Sequence, residues 1–236
     1  MHSESKHFLY RKAYATYVVT GINVIVFIWL ISHGPAGADR IYRATAVAVP
    51  QELTTVEWWK LVAATFVHRN VSHLALNFLF LCLLGPFVEF VLGIKKYLII
   101  YLIAGIGALF MDLVYAKAFD LYVPSLRVEV PQLIGGASSA IFGVVGARGA
   151  IFLRKWIKEG NGVARNHVIF VLFLVLLQVG ADLMNFSIAF GAHLTGAIIG
   201  LFLGLLLLGG GSFDIAEANP ISMVGAAKVS ESRVRP

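Results

Sequence analysis

Charged residues are in short supply in this chain. Asp, Glu, Lys and Arg make up 14% of its 236 residues, while 58% are hydrophobic. A soluble domain carries about 25% charged residues. The deficit excludes an ordinary cytosolic enzyme, a disordered chain and a nucleic-acid-binding module. Cysteine is almost missing. Cys82 stands alone, which excludes an internal disulfide framework and a Cys-based zinc site. Within its apolar run it reads as a small lipid-side or core residue. No metal or other cofactor is expected. No cleavable signal peptide is expected either: the first apolar run is too long and no small-residue cleavage site follows it, so it reads as a retained anchor. Apolar sequence fills the chain instead. At about 20 residues per transmembrane helix, there is enough for six spans and little for a soluble domain. The expected fold is all-α, a polytopic membrane protein with a six-helix bundle.

The spans are expected at 13–31, 73–92, 97–115, 136–153, 167–181 and 189–208. A segment 1–12 precedes this membrane domain (13–208) and a flexible tail, 209–236, follows it. The first connection, 32–72, holds Pro35, Pro50, Trp58 and Trp59. It is too polar to span and too apolar for a plain solvated loop, so it is expected to lie partly in the membrane interface, where Trp is favoured. The second connection, 116–135, carries Pro124 and Pro131. Six spans put both termini on one side. Twelve of the nineteen Lys and Arg fall on that side, six on the other, and Arg148 lies inside the fourth span. The bias makes both termini cytoplasmic. It also accounts for the net charge of +6 without a nucleic-acid partner.

Polar side chains are costly inside hydrocarbon and mark function. Three places break the apolar rule. His73 and Asn77 share one helical face at the outer end of the second span; alone, they would serve equally well as an interhelical polar contact. Gly135-Gly136-Ala137-Ser138-Ser139 marks a loop turning into a helix, whose first N–H groups are free to bind an anion. Alone, the run reads as close packing, since Gly135, Ser139, Gly143 and Ala147 form a small-residue stripe at spacing four. In the sixth span, His193 follows Ala192, which starts a second such stripe through Gly196, Gly200 and Gly204. Alone, it reads as a buried histidine with a backbone partner.

Together, the three suit acyl transfer. Serine needs a base to remove its proton, and His193 is one near neutral pH. Asn77, His73 and the Ser138 N–H are candidate donors to the oxyanion. All three motifs sit toward the outer ends of their spans, where one water-filled cavity would hold them.

This arrangement resembles the rhomboid family of intramembrane serine proteases. The family pattern is H-x-x-x-N, then G-x-S-G, then A-H-x-x-G-x-x-x-G. Here it reads His73 to Asn77, Gly136-Ala137-Ser138-Ser139, and Ala192-His193 through Gly196 to Gly200. Asn23, the histidine His68 and the pair Gly85 and Glu89 match further family positions. The resemblance implies a Ser138–His193 dyad without an acidic third member, so neither Asp182 nor Asp112 is assigned to the site. It implies a Phe142 ring packed under His193. It also implies transmembrane protein substrates cut after small residues, aided by helix-destabilising sequence. The compact form, without soluble domains, suits the lipid of a prokaryotic plasma membrane, with an organellar membrane as the alternative. The fifth span, with Phe170, Phe173 and Gly180, is where it would place gating.

Two positions depart from the pattern. Ser139 replaces a glycine, and is the less favoured alternative nucleophile. Trp59-Lys60 stands where Trp-Arg is usual; Arg binds as a planar fork and Lys as a point charge, so a looser first connection is expected. Arg148 lies about 15 Å below Ser138 at 1.5 Å per residue, and is expected to pair with Glu89. Two rival readings remain: a rhomboid-like protein that binds membrane helices without cutting them, and a small transporter with a histidine proton relay. The transporter ranks low, because no acidic residue lies in mid-membrane and no inverted repeat is present.

Overall fold

The computed structural model describes residues 13–49, 57–122, 132–184 and 190–209. The segment 1–12, Pro50, Pro124, Pro131 and the tail from residue 210 lie outside the described residues. Eight helices and a two-stranded ribbon are described: α1 Tyr14–Ile31, α2 Gly34–Thr45, β1 Val47–Val49, α3 Trp58–Ala64, α4 Val71–Leu92, α5 Ile94–Tyr122, β2 Gln132–Ile134, α6 Ser138–Glu159, α7 Gly162–Met184 and α8 Phe190–Leu207. Four of the helices, α1, α4, α5 and α7, are each long and apolar enough to cross a membrane. They expose many large apolar side chains, including Ile25, Leu83, Ile103 and Leu176, as a surface facing lipid tails requires.

The innermost helix is α6, which packs against α4, α5, α7 and α8. Small residues make this possible. A Cβ on Gly200 would run into the backbone of Gly143, one on Gly196 into the Ser139 carbonyl, and one on Gly204 into Ala147. The stripe on α8 therefore lies directly on the stripe of α6, backbone against backbone. At the far end of this seam, Lys96 Nζ donates to the Leu207 carbonyl (2.7 Å) and an Arg154 N–H to that of Leu208 (2.8 Å). These cations satisfy the carbonyls that end α8.

The first connection is more structured than its composition suggests. It forms α2 and α3, and its three-residue strand β1 pairs antiparallel with β2, Val47 opposite Ile134. This ribbon is an addition to the all-α expectation. Trp58 and Trp59 are exposed. Lys60 pairs with Glu57 and lies over the Trp59 ring, so the lysine has partners within α3 and its flank.

The expected Arg148–Glu89 pair is not formed. The Glu89 carboxylate accepts the N–H of Ala15 (2.8 Å), the N–H of Thr16 (2.7 Å) and the Thr16 hydroxyl (2.7 Å). It serves the positive end of α1, where free N–H groups and the helix dipole favour an anion. Gly85, one turn earlier, leaves room for Thr16. The Arg148 guanidinium lies instead over the rings of Phe87 and Phe152, 4.5 and 5.1 Å from their centroids, a stacking that its weakly hydrated plane favours.

Candidate active site

The site begins where β2 hands over to α6. Gly136 has φ +129°, a conformation open to glycine. A side chain there would also collide with the His73 ring, 2.5 Å from its Cε1. The Gly136 N–H donates to the Ala64 carbonyl at 2.7 Å, which ties this turn to the end of α3. Ser138 is then the first residue of α6. Its own N–H lies in the first turn, where no intrahelical acceptor exists.

The α6–α8 seam carries His193 to Ser138. The Ser138 hydroxyl lies 2.9 Å from His193 Nε2. Ser138, rather than Ser139, holds this bond; Ser139 is buried, and its carbonyl faces Gly196. The Phe142 ring packs against the imidazole, centroids 5.1 Å apart. The other imidazole nitrogen corrects the sequence reading. His193 Nδ1 lies 2.6 Å from Asp182 Oδ2, so the imidazole has an acidic neighbour. The second oxygen of Asp182 accepts from Gln178 Nε2 at 2.9 Å. Asp112 lies beside Gly191 rather than against the imidazole.

The remaining polar groups come from α4 and the loop before it. Asn70 caps α4, its side-chain oxygen accepting from the His73 N–H at 2.8 Å, which fixes the turn bearing His73. Asn77 is one turn further on. Its amide lies 2.9 Å from His68 Nε2, while His68 Nδ1 lies 3.2 Å from the Phe66 carbonyl. Only one tautomer satisfies both: Nδ1 donates to Phe66 and Nε2 accepts from Asn77. Burial pushes the His68 pKa down to about 4, with His73 adding to the effect. The neutral ring that this tautomer needs is therefore the stable form. One amide N–H of Asn77 is held by His68, leaving the other for the cavity. The Ala137 N–H also approaches His68 Nε2, at 3.4 Å.

Ser138, His193, His73, Asn77, Phe142 and Gln178 line one cavity of about 190 Å³. Every candidate side chain from the sequence thus falls in or against one place, with His68 behind Asn77, and Gly136 and Gly196 permitting the close approaches. The sequence reading passed over Asn70, Gln178 and the contact of Asp182. The spacing of four between Gln178 and Asp182 was the available signal. No group of three or more His, Cys, Asp or Glu side chains is placed to hold a metal among the described residues.

Fold and site define a polytopic helical membrane protein with a serine–histidine pair at a cavity inside its bundle. A family model for the rhomboid domain matches residues 55–210, and the chain belongs to the rhomboid family. It is 26% identical over 200 residues to rhomboid protease GluP of Bacillus subtilis, covering 85% of this chain and 36% of that protein. It is 30% identical over 159 residues to rhomboid protease AarA of Providencia stuartii, covering 64% and 56%. RHOMBOID-like protein 2 of Arabidopsis thaliana is 26% identical over 202 residues, covering 80% and 58%. The chain spans less than two thirds of the length of each of these relatives.

Proposed function

We propose that this protein is an intramembrane serine endopeptidase that hydrolyses peptide bonds in or near transmembrane segments of other proteins. The observation that carries the reading is the 2.9 Å bond between Ser138 Oγ and His193 Nε2 at a cavity within an apolar bundle. Proteases among the relatives support it. In the proposed topology α6 and α8 also cross the membrane, giving six spans with both termini cytoplasmic, in a prokaryotic plasma membrane.

In the proposed reaction His193 Nε2 takes the proton of Ser138 as Oγ attacks the substrate carbonyl carbon. The carbonyl π pair moves to oxygen, and the Asn77 amide, His73 and the Ser138 N–H stabilise the resulting oxyanion. As the tetrahedral intermediate collapses, the C–N bond breaks and His193 gives its proton to the departing amine. Water from the cavity then attacks the acyl ester, with His193 again as base. A new carboxyl group leaves and Ser138 recovers its proton.

The test is labelling of detergent-purified protein by a fluorophosphonate, together with cleavage of a reporter transmembrane segment weakened by helix-breaking residues. Wild type is expected to be labelled and to cleave; Ser138→Ala abolishes both. Labelling that persists in Ser138→Ala but disappears in Ser139→Ala would move the nucleophile by one residue. A wild-type protein that binds the reporter and never cuts it would favour the non-cleaving reading.

A further inference from the structure

The reaction above uses one imidazole nitrogen, and the structure occupies the other. Asp182 and His193 are 7% and 8% exposed, so neither is free to exchange its partner for bulk water. Asp182 Oδ2 meets His193 Nδ1 at 2.6 Å, and Oδ1 takes the N–H of Gln178 at 2.9 Å. A carboxylate only accepts hydrogen bonds. The proton of neutral His193 is then held on Nδ1, and the lone pair of Nε2 faces Ser138.

We infer that Asp182 is a positioning residue for catalysis, with Gln178 fixing its second oxygen, so that α7 sets the tautomer of the base on α8. The inference rests on the Ser138–His193 reading. Its physical content lies in the order of the chain: Gln178 N–H to Asp182, Asp182 to His193 Nδ1–H, His193 Nε2 to the Ser138 hydroxyl. Asp182 and Gln178 are one turn apart on one face of α7, and that face lines the cavity with Leu174 and Leu177. Other ionisable groups surround this line: His73 on α4, and Asp112 and Tyr115 on α5, which sit beside Gly191. None of these three reaches His193 Nδ1.

The arrangement makes a directional prediction. In Asp182→Asn the shape is kept. Gln178 still donates to the one amide oxygen, which turns the amide NH₂ toward His193 Nδ1. Nδ1 becomes the acceptor, the proton moves to Nε2, and Nε2 can no longer take the Ser138 proton. The same substitution in the Ser-His-Asp triad costs about 10⁴ in kcat through the wrong tautomer; here a loss on the order of 10² or more is expected, with KM little changed. Adding Gln178→Glu reverses the chain. The new carboxylate accepts from the amide NH₂, the amide oxygen swings back to His193 Nδ1–H, and the base recovers.

The experiment compares kcat and KM of wild type, Asp182→Asn and Asp182→Asn with Gln178→Glu on the reporter segment, in detergent. The expected result is a kcat loss in the single variant that the second substitution restores about tenfold or more, as the tautomer account requires. Wild-type kcat retained in Asp182→Asn overturns the inference and leaves the Ser138–His193 reading standing. A loss that Gln178→Glu does not recover also overturns it, because a merely structural Asp182 would give that outcome. If wild type fails to cleave, or cleaves without Ser138, the underlying reading fails and the inference falls with it.

Discussion

His68 carries the pH dependence that can be worked out at a single residue. Its pKa in the folded protein is about 4, down from 6.5, because the ring is buried. A base whose folded pKa is depressed favours the folded state only while it is neutral. The stabilisation is fully present above about pH 6.5 and is lost as pH falls toward about 4, at about 1.4 kcal/mol per pH unit. Thermal unfolding in detergent should therefore drop more between about pH 7.5 and about pH 5 in wild type than in His68→Gln. Equal drops would show that His68 does not hold its proton balance this way. A protonated His68 also loses the lone pair that holds Asn77, but in the folded protein this happens only near pH 4, so stability should begin to fall at a higher pH than the oxyanion donor fails.

Among the elements, the contact of α6 with α8 decides how closely serine and histidine can come. Gly200 has no space for a side chain, since its Cβ would meet the Gly143 backbone, whereas a Cβ on Gly162 meets nothing within 4 Å. Gly200→Ala is expected to cost about 1–3 kcal/mol by overpacking and to reduce cleavage, and Gly162→Ala to do neither; unfolding in detergent measures both. An unchanged Gly200→Ala would mean that the seam opens without penalty. This seam was legible in the sequence because small residues repeat at the period of the helix. The ribbon was not, since Val47–Val49 is too short a run to show a strand period. Glu89 and Arg148 were misread as partners because depth along a span says nothing of azimuth: one faces the start of α1 and the other the rings of Phe87 and Phe152. The serine, both histidines and Asn77 were legible through motif spacing, but Asp182 was discounted, because only the packing of α7 against α8 brings a residue eleven positions from His193 back to its ring.

For the whole molecule, the cations that close α8 and the site lie at opposite ends. Lys96 and Arg154 close the far end of α8, with Lys155 and Lys158 on the same last turns of α6, while α2, α3 and the cavity lie at the other. The orientation proposed from the Lys and Arg bias predicts that, with Cys82 replaced by alanine, Asp39→Cys reacts with an impermeant maleimide in intact cells. Lys158→Cys reacts only after lysis. The reverse pattern would invert the protein in the membrane. Between these ends, the glycine seam has an entropic consequence. Ordering a leucine on packing costs roughly 0.5–1 kcal/mol of rotamer freedom, and glycine or alanine costs none. The layer joining Ser139, Gly143 and Ala147 to Gly196, Gly200 and Gly204 contains almost nothing that can rotate. The spacing of the two main chains that carry the serine and its base is thus set with almost no seam rotamer to freeze, and the imidazole itself is oriented by Phe142 and Asp182.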